Sequence, residues 1–176
     1  MPRNYPKDLP IVRETGGRIP RNQDFHIEAA DGRACVLLPD DRWRCFPEGA
    51  PFEQFLAGPL HDFFHGQSLV ELGGDWPFDE WKHGAEGIVQ HYTDLLDTDD
   101  VKTIVRFLRV IAKQNFKAHL PCPCGSGKKI KKCCRAKIVE LRRRIAPAMA
   151  RKSLEVLRAS TVPYNRAQEG TVRETR

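Results

Sequence analysis

From residue 51 onward, hydrophobic residues recur every three or four positions, which is the period of an amphipathic helix. The pattern predicts four helices, at 51–66, 84–96, 99–118 and 136–160. We expect Gly58-Pro59 to interrupt the first helix and Pro147 to break the last, because proline lacks the backbone N–H that a helix interior requires. Asp99-Asp100 lies at the start of the third helix, where negative charge favours the positive end of the helix dipole.

The first 40 residues follow a different pattern. Residues 1–24 are rich in proline, glycine and charge around one apolar stretch, Leu9 to Val12, which predicts a single strand. Residues 33–38 form a second short run with β propensity, and Pro39 ends it. At the other end of the chain, residues 161–176 have little apolar surface to bury and are expected to be disordered.

Length and composition predict one globular domain with an appendage. The chain has 176 residues, of which 40% are hydrophobic and 30% charged. No apolar run approaches the roughly 20 residues that span a bilayer, and no signal-peptide pattern opens the sequence. We therefore expect a cytoplasmic protein without a transmembrane segment.

The net charge of +6 is unevenly distributed. Residues 128–158 carry twelve Lys/Arg and two Glu, whereas residues 1–127 carry fourteen Lys/Arg and nineteen Asp/Glu. A basic segment beside an acidic body could contact RNA, anionic lipid or an acidic protein face, or could simply be a solvated helix face. Aromatic residues are not interleaved with the cations, so nucleic acid is the weaker interpretation.

Four of the six cysteines fall within thirteen residues, at positions Cys122, Cys124, Cys133 and Cys134. Four thiolates in a short, glycine-punctuated hairpin suit one tetrahedral Zn²⁺. Glycines in the run allow the chain to reverse, because glycine adopts positive φ without steric cost. Neighbouring lysines lower thiol pKa values and partly offset the charge of a four-thiolate site.

Two other interpretations of this run are weaker. A structural disulfide pair is disfavoured because clustered thiols in a cytosolic chain usually bind metal. A phosphate-binding loop would need a glycine at the position of Cys122 and a hydroxyl at the position of Lys129. The spacing instead resembles the SEC-C zinc motif, known from the C-terminal tail of the SecA translocation ATPase and from many bacterial proteins. That family closes with Cys-His or, as here, Cys-Cys.

The other two cysteines are Cys35 and Cys45, and the surroundings of Cys35 form a second pattern. His26 lies nine residues before Cys35, Gly32 three residues before it, and Trp43 eight residues after it. This order, preceded by Tyr5-Pro6, resembles the ubiquitin-conjugating (UBC) family. Trp76-Pro77 and the stretch from Trp81 to Tyr92 are similar to bacterial UBC-like proteins from ubiquitin-like and antiphage conjugation operons.

The UBC resemblance implies thioester exchange. The Cys35 thiolate would attack an activated C-terminal carbonyl, hold the acyl group and yield it to a lysine amine. His26 would correspond to the motif histidine, which is mainly a structural brace, and Trp43 would pack beneath the cysteine loop. Implied partners are a ubiquitin-like protein or a conjugation target, with a separate activating enzyme. The family's His-Pro-Asn corresponds to His26-Ile27-Glu28, and a carboxylate cannot replace the asparagine as a donor.

Together these patterns predict an α+β fold: a reduced UBC-like core with a short antiparallel sheet and helices, then a zinc knuckle and a basic helix. The expected organisation is a UBC-like domain at 1–118, a SEC-C motif at 119–135, a basic helix at 136–160 and a tail at 161–176. The leading hypothesis for function is thioester transfer at Cys35, with the knuckle docking a partner. One alternative is a non-catalytic zinc-binding adaptor that binds a protein, ribosome or membrane partner through the SEC-C motif and the basic tail. A weaker alternative is a protein that binds RNA or DNA. For Cys35 itself, the alternative to catalysis is a small buried hydrophobe in a strand.

Overall fold

The regular elements of the chain are helices. A computed structural model describes Tyr5 and residues 8–78 and 82–160. The helices are α1 Arg42–Cys45, α2 Phe52–Phe55, α3 His61–Glu71, α4 Gly84–Leu96, α5 Val101–Ile111, α6 Arg135–Arg144 and α7 Pro147–Ala159. Short 3₁₀ turns lie at Gln23–Phe25, Pro39–Asp41 and Ile130–Lys132. The chain forms two compact units, Met1–His83 with Arg143–Ile145, and Gly84–Arg142 with Ala146–Arg176.

The prediction of an α+β fold with a UBC-like antiparallel sheet is wrong, because residues 8–78 and 82–160 contain no strand. Among the described residues, the second β-prone run forms isolated bridges from Arg33 to Arg13 and from Ala34 to Ile27, and the first run forms none. Consecutive residues of the second run bond in different directions: Ala34 N–H donates to Val12 O at 2.9 Å, whereas Cys35 N–H donates to His26 O at 2.8 Å. Consecutive residues inside a sheet also bond to opposite sides, but a ladder repeats the bonds to each neighbour every second residue, and here each pairing stops at a single bridge.

Two small hydrophobic clusters form the core of the first unit. Phe63 of α3 packs with Ile19, Ile27 and Ala34 in one cluster, to which Trp76 adds its ring. The Trp76 ring lies directly on Gly66, since a Cβ atom at Gly66 would come within 2.4 Å of it. The second cluster joins the α1 and α2 segments through Phe46, Ala50 and Phe55.

The predicted interruption at Gly58-Pro59 is confirmed. A π-helical turn, Leu56–Leu60, separates α2 from α3 and contains Pro59. Proline supplies no N–H and its ring crowds the carbonyl four residues earlier, so the turn widens there. The helix predicted at 84–96 is α4, with the same bounds.

The second unit is a helical bundle in which α4, α5 and α7 pack against one another. Asp100 caps α5, because its side chain accepts hydrogen bonds from the backbone N–H groups of Lys102 and Thr103. A hydrogen bond from the Thr103 hydroxyl, together with those backbone donors and nearby Arg106, lowers the pKa of the Asp100 carboxyl. The apolar face of α5 is deeply buried, and Leu108 and Ile111 have no exposed surface.

One predicted helix ends earlier than expected, and another is divided into two helices. Helix α5 ends at Ile111 rather than 118, where its run of periodic apolar residues also ends. The basic stretch 136–160 divides at Pro147, as predicted, into α6 and α7. Pro147 occupies the first turn of α7, where its missing N–H removes no hydrogen bond.

Some predictions concern residues outside the described ranges. These are the prediction of disorder at 161–176 and the parts of the UBC resemblance carried by Pro6 and Trp81. Across the part of the chain that the structure describes, no helix combines the length and apolar content needed to cross a bilayer.

Candidate metal centre

The cysteine-rich segment folds as a tight reversal after α5. The two sides of the reversal meet at an antiparallel bridge between Pro121 and Lys129. Cys122 N–H donates to Lys128 O at 2.8 Å, and Ile130 N–H donates to Leu120 O at 3.0 Å. These bonds hold the first two cysteines beside the chain that returns toward the last two.

Glycine is required at two positions of the reversal. Gly125 has φ of 79° and Gly127 has φ of 72°, both in the left-handed region that side chains disfavour. The chain then makes a 3₁₀ turn, and Cys133 N–H closes it by donating to Ile130 O at 3.0 Å. Helix α6 follows directly, with Ile138 N–H donating to Cys134 O.

The four sulfur atoms lie together. The Sγ atoms of Cys122, Cys124, Cys133 and Cys134 are all within 4.8 Å of one another. Cys133 Sγ is 3.6 Å from Cys124 Sγ and 3.7 Å from Cys134 Sγ. Tetrahedral zinc with Zn–S bonds of about 2.3 Å would separate its sulfurs by about 3.8 Å. All six cysteines are free thiols, so the disulfide interpretation does not describe this structure. The cluster therefore has the donor set and spacing to bind a metal ion.

The thiols of this cluster do not share one pKa. A hydrogen bond with the Ser126 hydroxyl lowers the pKa of Cys124 to about 6. Burial raises the pKa of Cys122. Burial and then the three neighbouring thiols raise the pKa of Cys134 far above its usual range. The neighbouring thiols thus oppose the ionisation of Cys134, and a divalent cation between the four sulfurs would favour the thiolate forms.

The cysteine-rich segment matches a known motif family. Residues 120–136, about a tenth of the chain, match the family described as the SEC-C motif. The predicted SEC-C resemblance is therefore confirmed, and motifs of this kind are associated with zinc.

One relative shares a longer stretch than the motif. Over 41 residues the chain is 49% identical to a Bacillus subtilis (strain 168) protein described as "Uncharacterized protein YccF". That stretch is 23% of this chain but only 12% of the Bacillus protein, so most of the relative has no counterpart in the match. No solved structure matches the chain. None of these comparisons supports the UBC resemblance.

The second predicted site, Cys35 with His26, lies in the first unit. Cys35 is exposed, and its backbone N–H donates a hydrogen bond to His26 O at 2.8 Å. The His26 ring is buried, with its centroid 4.2 Å from that of Trp76 and 5.2 Å from that of His83. The catalytic assignment of Cys35 and His26 stays a prediction, and the described contacts give His26 a packing role.

The electrostatic surroundings of Cys35 oppose a reactive thiolate. Partial burial and the Glu28 carboxylate raise the pKa of Cys35, and Asp31 adds to the effect. Arg33 acts in the opposite direction, but its guanidinium also lies 3.9 Å from Asp31. A nucleophilic cysteine needs an electropositive setting that keeps its thiolate populated near neutral pH. Glu28, which stands where the UBC motif has asparagine, works against that requirement.

We expect the Cys35 thiol to react slowly with iodoacetamide at pH 7.5, because a raised pKa leaves less thiolate. Because the pKa of Cys35 is raised, its alkylation should accelerate at a higher pH than the alkylation of N-acetylcysteine does. Mass spectrometry of the Cys35 peptide measures the rate, and urea-unfolded protein is the matched control. Native protein that alkylates at Cys35 faster than unfolded protein would contradict this account.

The sequence patterns did not identify an open depression along the α2–α3 segment. It has a volume of about 570 Å³, and its lining residues are Leu56, Leu60, His61, Phe64, His65 and Ser68. The rings of His61 and His65 are adjacent, with centroids 5.9 Å apart. Phe64 is 47% exposed and Leu56 is 43% exposed, so this is an open apolar surface rather than an enclosed binding pocket.

Proposed function

We propose that the protein is a zinc-binding adaptor. In this proposal one Zn²⁺ is held by Cys122, Cys124, Cys133 and Cys134. The folded segment at 119–135, called the knuckle below, presents cations to an acidic face of a protein partner. The observation that carries the proposal is the convergence of the four Sγ atoms within 4.8 Å. Four thiolates at this spacing match the preferences of Zn²⁺.

The donor set favours a structural role for the metal. Four protein ligands would complete a tetrahedral shell, whereas catalytic zinc sites keep one position open for water or substrate. Zinc would supply cross-linking here: it would tie the start of the reversal to Cys134, the residue before α6. Cys122 is 5% exposed, so the site is partly shielded from solvent on one side.

The cations of the knuckle are available to a partner. Lys128, Lys129, Lys131 and Lys132 are exposed, as is Arg135 at the start of α6. Within the described part of the chain, none of these five side chains forms an ion pair. Unpaired cations on an ordered surface steer and select partners of opposite charge. No aromatic residue lies between positions 121 and 135, which favours an acidic protein over nucleic acid.

Reversing two knuckle charges tests the proposed docking. We expect immobilised wild-type protein to retain an acidic protein partner from a cell extract. The Lys131→Glu, Lys132→Glu variant should bind that partner at least about tenfold more weakly, because like charges then face each other. Zinc-stripped protein should lose the same partner. Nuclease treatment of the extract, followed by quantitative mass spectrometry, separates protein binding from nucleic-acid binding.

The matched control places the same charge change elsewhere in the second unit. Lys113→Glu with Arg158→Glu alters two exposed cations on other segments and should retain the partner. Retention that is indifferent to both zinc and the knuckle lysines would contradict the adaptor proposal. Retention that disappears on nuclease treatment would assign the surface to nucleic acid instead.

A further inference from the structure

One side chain connects helix α5 to the cysteine reversal. Arg106 Nε donates a hydrogen bond to Pro123 O at 2.9 Å. Its Nη2 donates to Thr103 Oγ1 at 2.6 Å and lies 3.5 Å from Asp100 Oδ2. The guanidinium group therefore contacts the knuckle on one side and the capped start of α5 on the other.

The carbonyl that Arg106 binds lies between two candidate ligands. Pro123 is buried and separates Cys122 from Cys124. The bond from Arg106 to this carbonyl is partly buried, and a carbonyl that is shielded from water and left without a donor costs free energy. The orientation of the Pro123 peptide also constrains the directions of the two flanking cysteines. A donor held at this carbonyl thus restricts the backbone that aims both sulfurs.

The donor itself is held in place. Asp100 Oδ2 accepts from both the Thr103 N–H and the Thr103 hydroxyl, and the same hydroxyl accepts from Arg106. This chain of bonds fixes the guanidinium relative to the first turn of α5. Arg106 also lies beside the reversal, because a Cβ atom at Gly125 would be 3.6 Å from its Nη2.

The shape of the guanidinium group matches the two acceptors that it contacts. Arginine suits this position because its planar fork can bind a carbonyl and a hydroxyl at once.

We propose that Arg106 is the positioning residue of the metal centre. It holds the Cys122-Pro123-Cys124 backbone in ligand geometry and couples metal occupancy to helix α5. The inference rests on the proposed zinc site and extends it. Zinc binding to the knuckle and the stability of the helical unit would then be coupled, so the knuckle would not be an independent appendage.

Zinc affinity of Arg106 variants tests this inference. We expect Arg106→Ala to bind zinc about 10–100-fold more weakly than wild type, the range typical for outer-shell partners of metal ligands. Competition with a chromogenic chelator under reducing conditions gives the affinity. Arg106→Lys, which keeps the charge but not the fork, should recover part of the loss. Arg158→Ala, an exposed arginine of α7, is the matched control and should bind zinc as wild type does.

A second readout separates positioning from general stability. Zinc should raise the unfolding temperature of Arg106→Ala less than that of wild type at the same zinc concentration, because weaker binding gives less linkage stabilisation. Cobalt substitution adds a spectroscopic signature, and we expect altered thiolate-to-cobalt bands in Arg106→Ala. A variant that is merely less stable, with wild-type zinc affinity and cobalt bands, would overturn the inference. Wild-type protein that binds no zinc would instead overturn the proposed function.

Discussion

Replacing Cys122 with serine is expected to abolish stable zinc binding and to disorder the cysteine reversal. Cys122 is the most buried of the four cysteines, and its backbone N–H bonds to Lys128 O across the reversal. Serine keeps the size of the side chain but supplies no thiolate, so only three sulfur ligands remain. The loss of affinity should exceed the roughly 100-fold upper range for outer-shell partners.

The loss of zinc binding should also lower the stability of the protein. Binding to a site that forms only in the folded state contributes directly to folding, and structural zinc supplies apparent free energies of about 10–16 kcal/mol in isolated finger peptides. Thermal unfolding followed by circular dichroism, with and without zinc, measures the effect. Wild type should be stabilised by zinc, and Cys122→Ser should show little response.

Cys45→Ser is the control for this experiment. Cys45 is an exposed thiol of the first unit, outside the cluster, and its replacement should leave zinc affinity and the zinc-dependent shift unchanged. Undiminished zinc affinity in Cys122→Ser would show that the four sulfurs do not form the site.

Leu108→Ala is expected to destabilise the protein by about 2–5 kcal/mol, the range for truncating a fully buried leucine. Leu108 lies in the middle of α5 and has no exposed surface. Truncation removes apolar contacts where α5 packs in the helical bundle and leaves a cavity that a close-packed interior refills only in part. Urea unfolding followed by far-UV circular dichroism measures the change in unfolding free energy.

Leu72→Ala provides the same chemical change at the surface. Leu72 is 84% exposed at the end of α3, so we expect a change within about 0.5 kcal/mol. Equal effects of the two substitutions would contradict the buried position of the Leu108 side chain.

The helices could be predicted from the sequence because their information is local. The period of apolar residues placed α4 correctly, and two prolines marked the interruptions at Leu56–Leu60 and Pro147. Asp100 was also recognisable as an acidic residue at a helix start, where it caps α5. Each of these features depends on residues within one or two helical turns of one another.

The sheet was predicted wrongly because strand pairing depends on distant partners. The runs at 9–12 and 33–38 have β-prone residues, but propensity does not specify which segment each N–H will find. Ala34 and Cys35 bond to two different segments, but neither pairing extends beyond one bridge, so no strand forms. The resemblance to the UBC family then supplied a sheet that the described residues do not form.

The four cysteines of the candidate site could be predicted from the sequence, but the contact that Arg106 makes with it could not. The spacing of the four cysteines and the glycines between them was enough to expect their convergence, since all lie within one reversal. Arg106 precedes Pro123 by seventeen residues and belongs to a different element. No sequence pattern distinguished it from the other cations of α5, and only the packing of that helix beside the knuckle shows its contact.

The metal content of the wild-type protein tests the central claim most directly. Protein purified under reducing conditions without added metal should contain about one zinc per chain by elemental analysis, bound to four thiolates. Removing the zinc should expose four additional titratable thiols at the cluster cysteines. Purified, reduced protein that contains no bound metal and does not take up zinc would contradict the account.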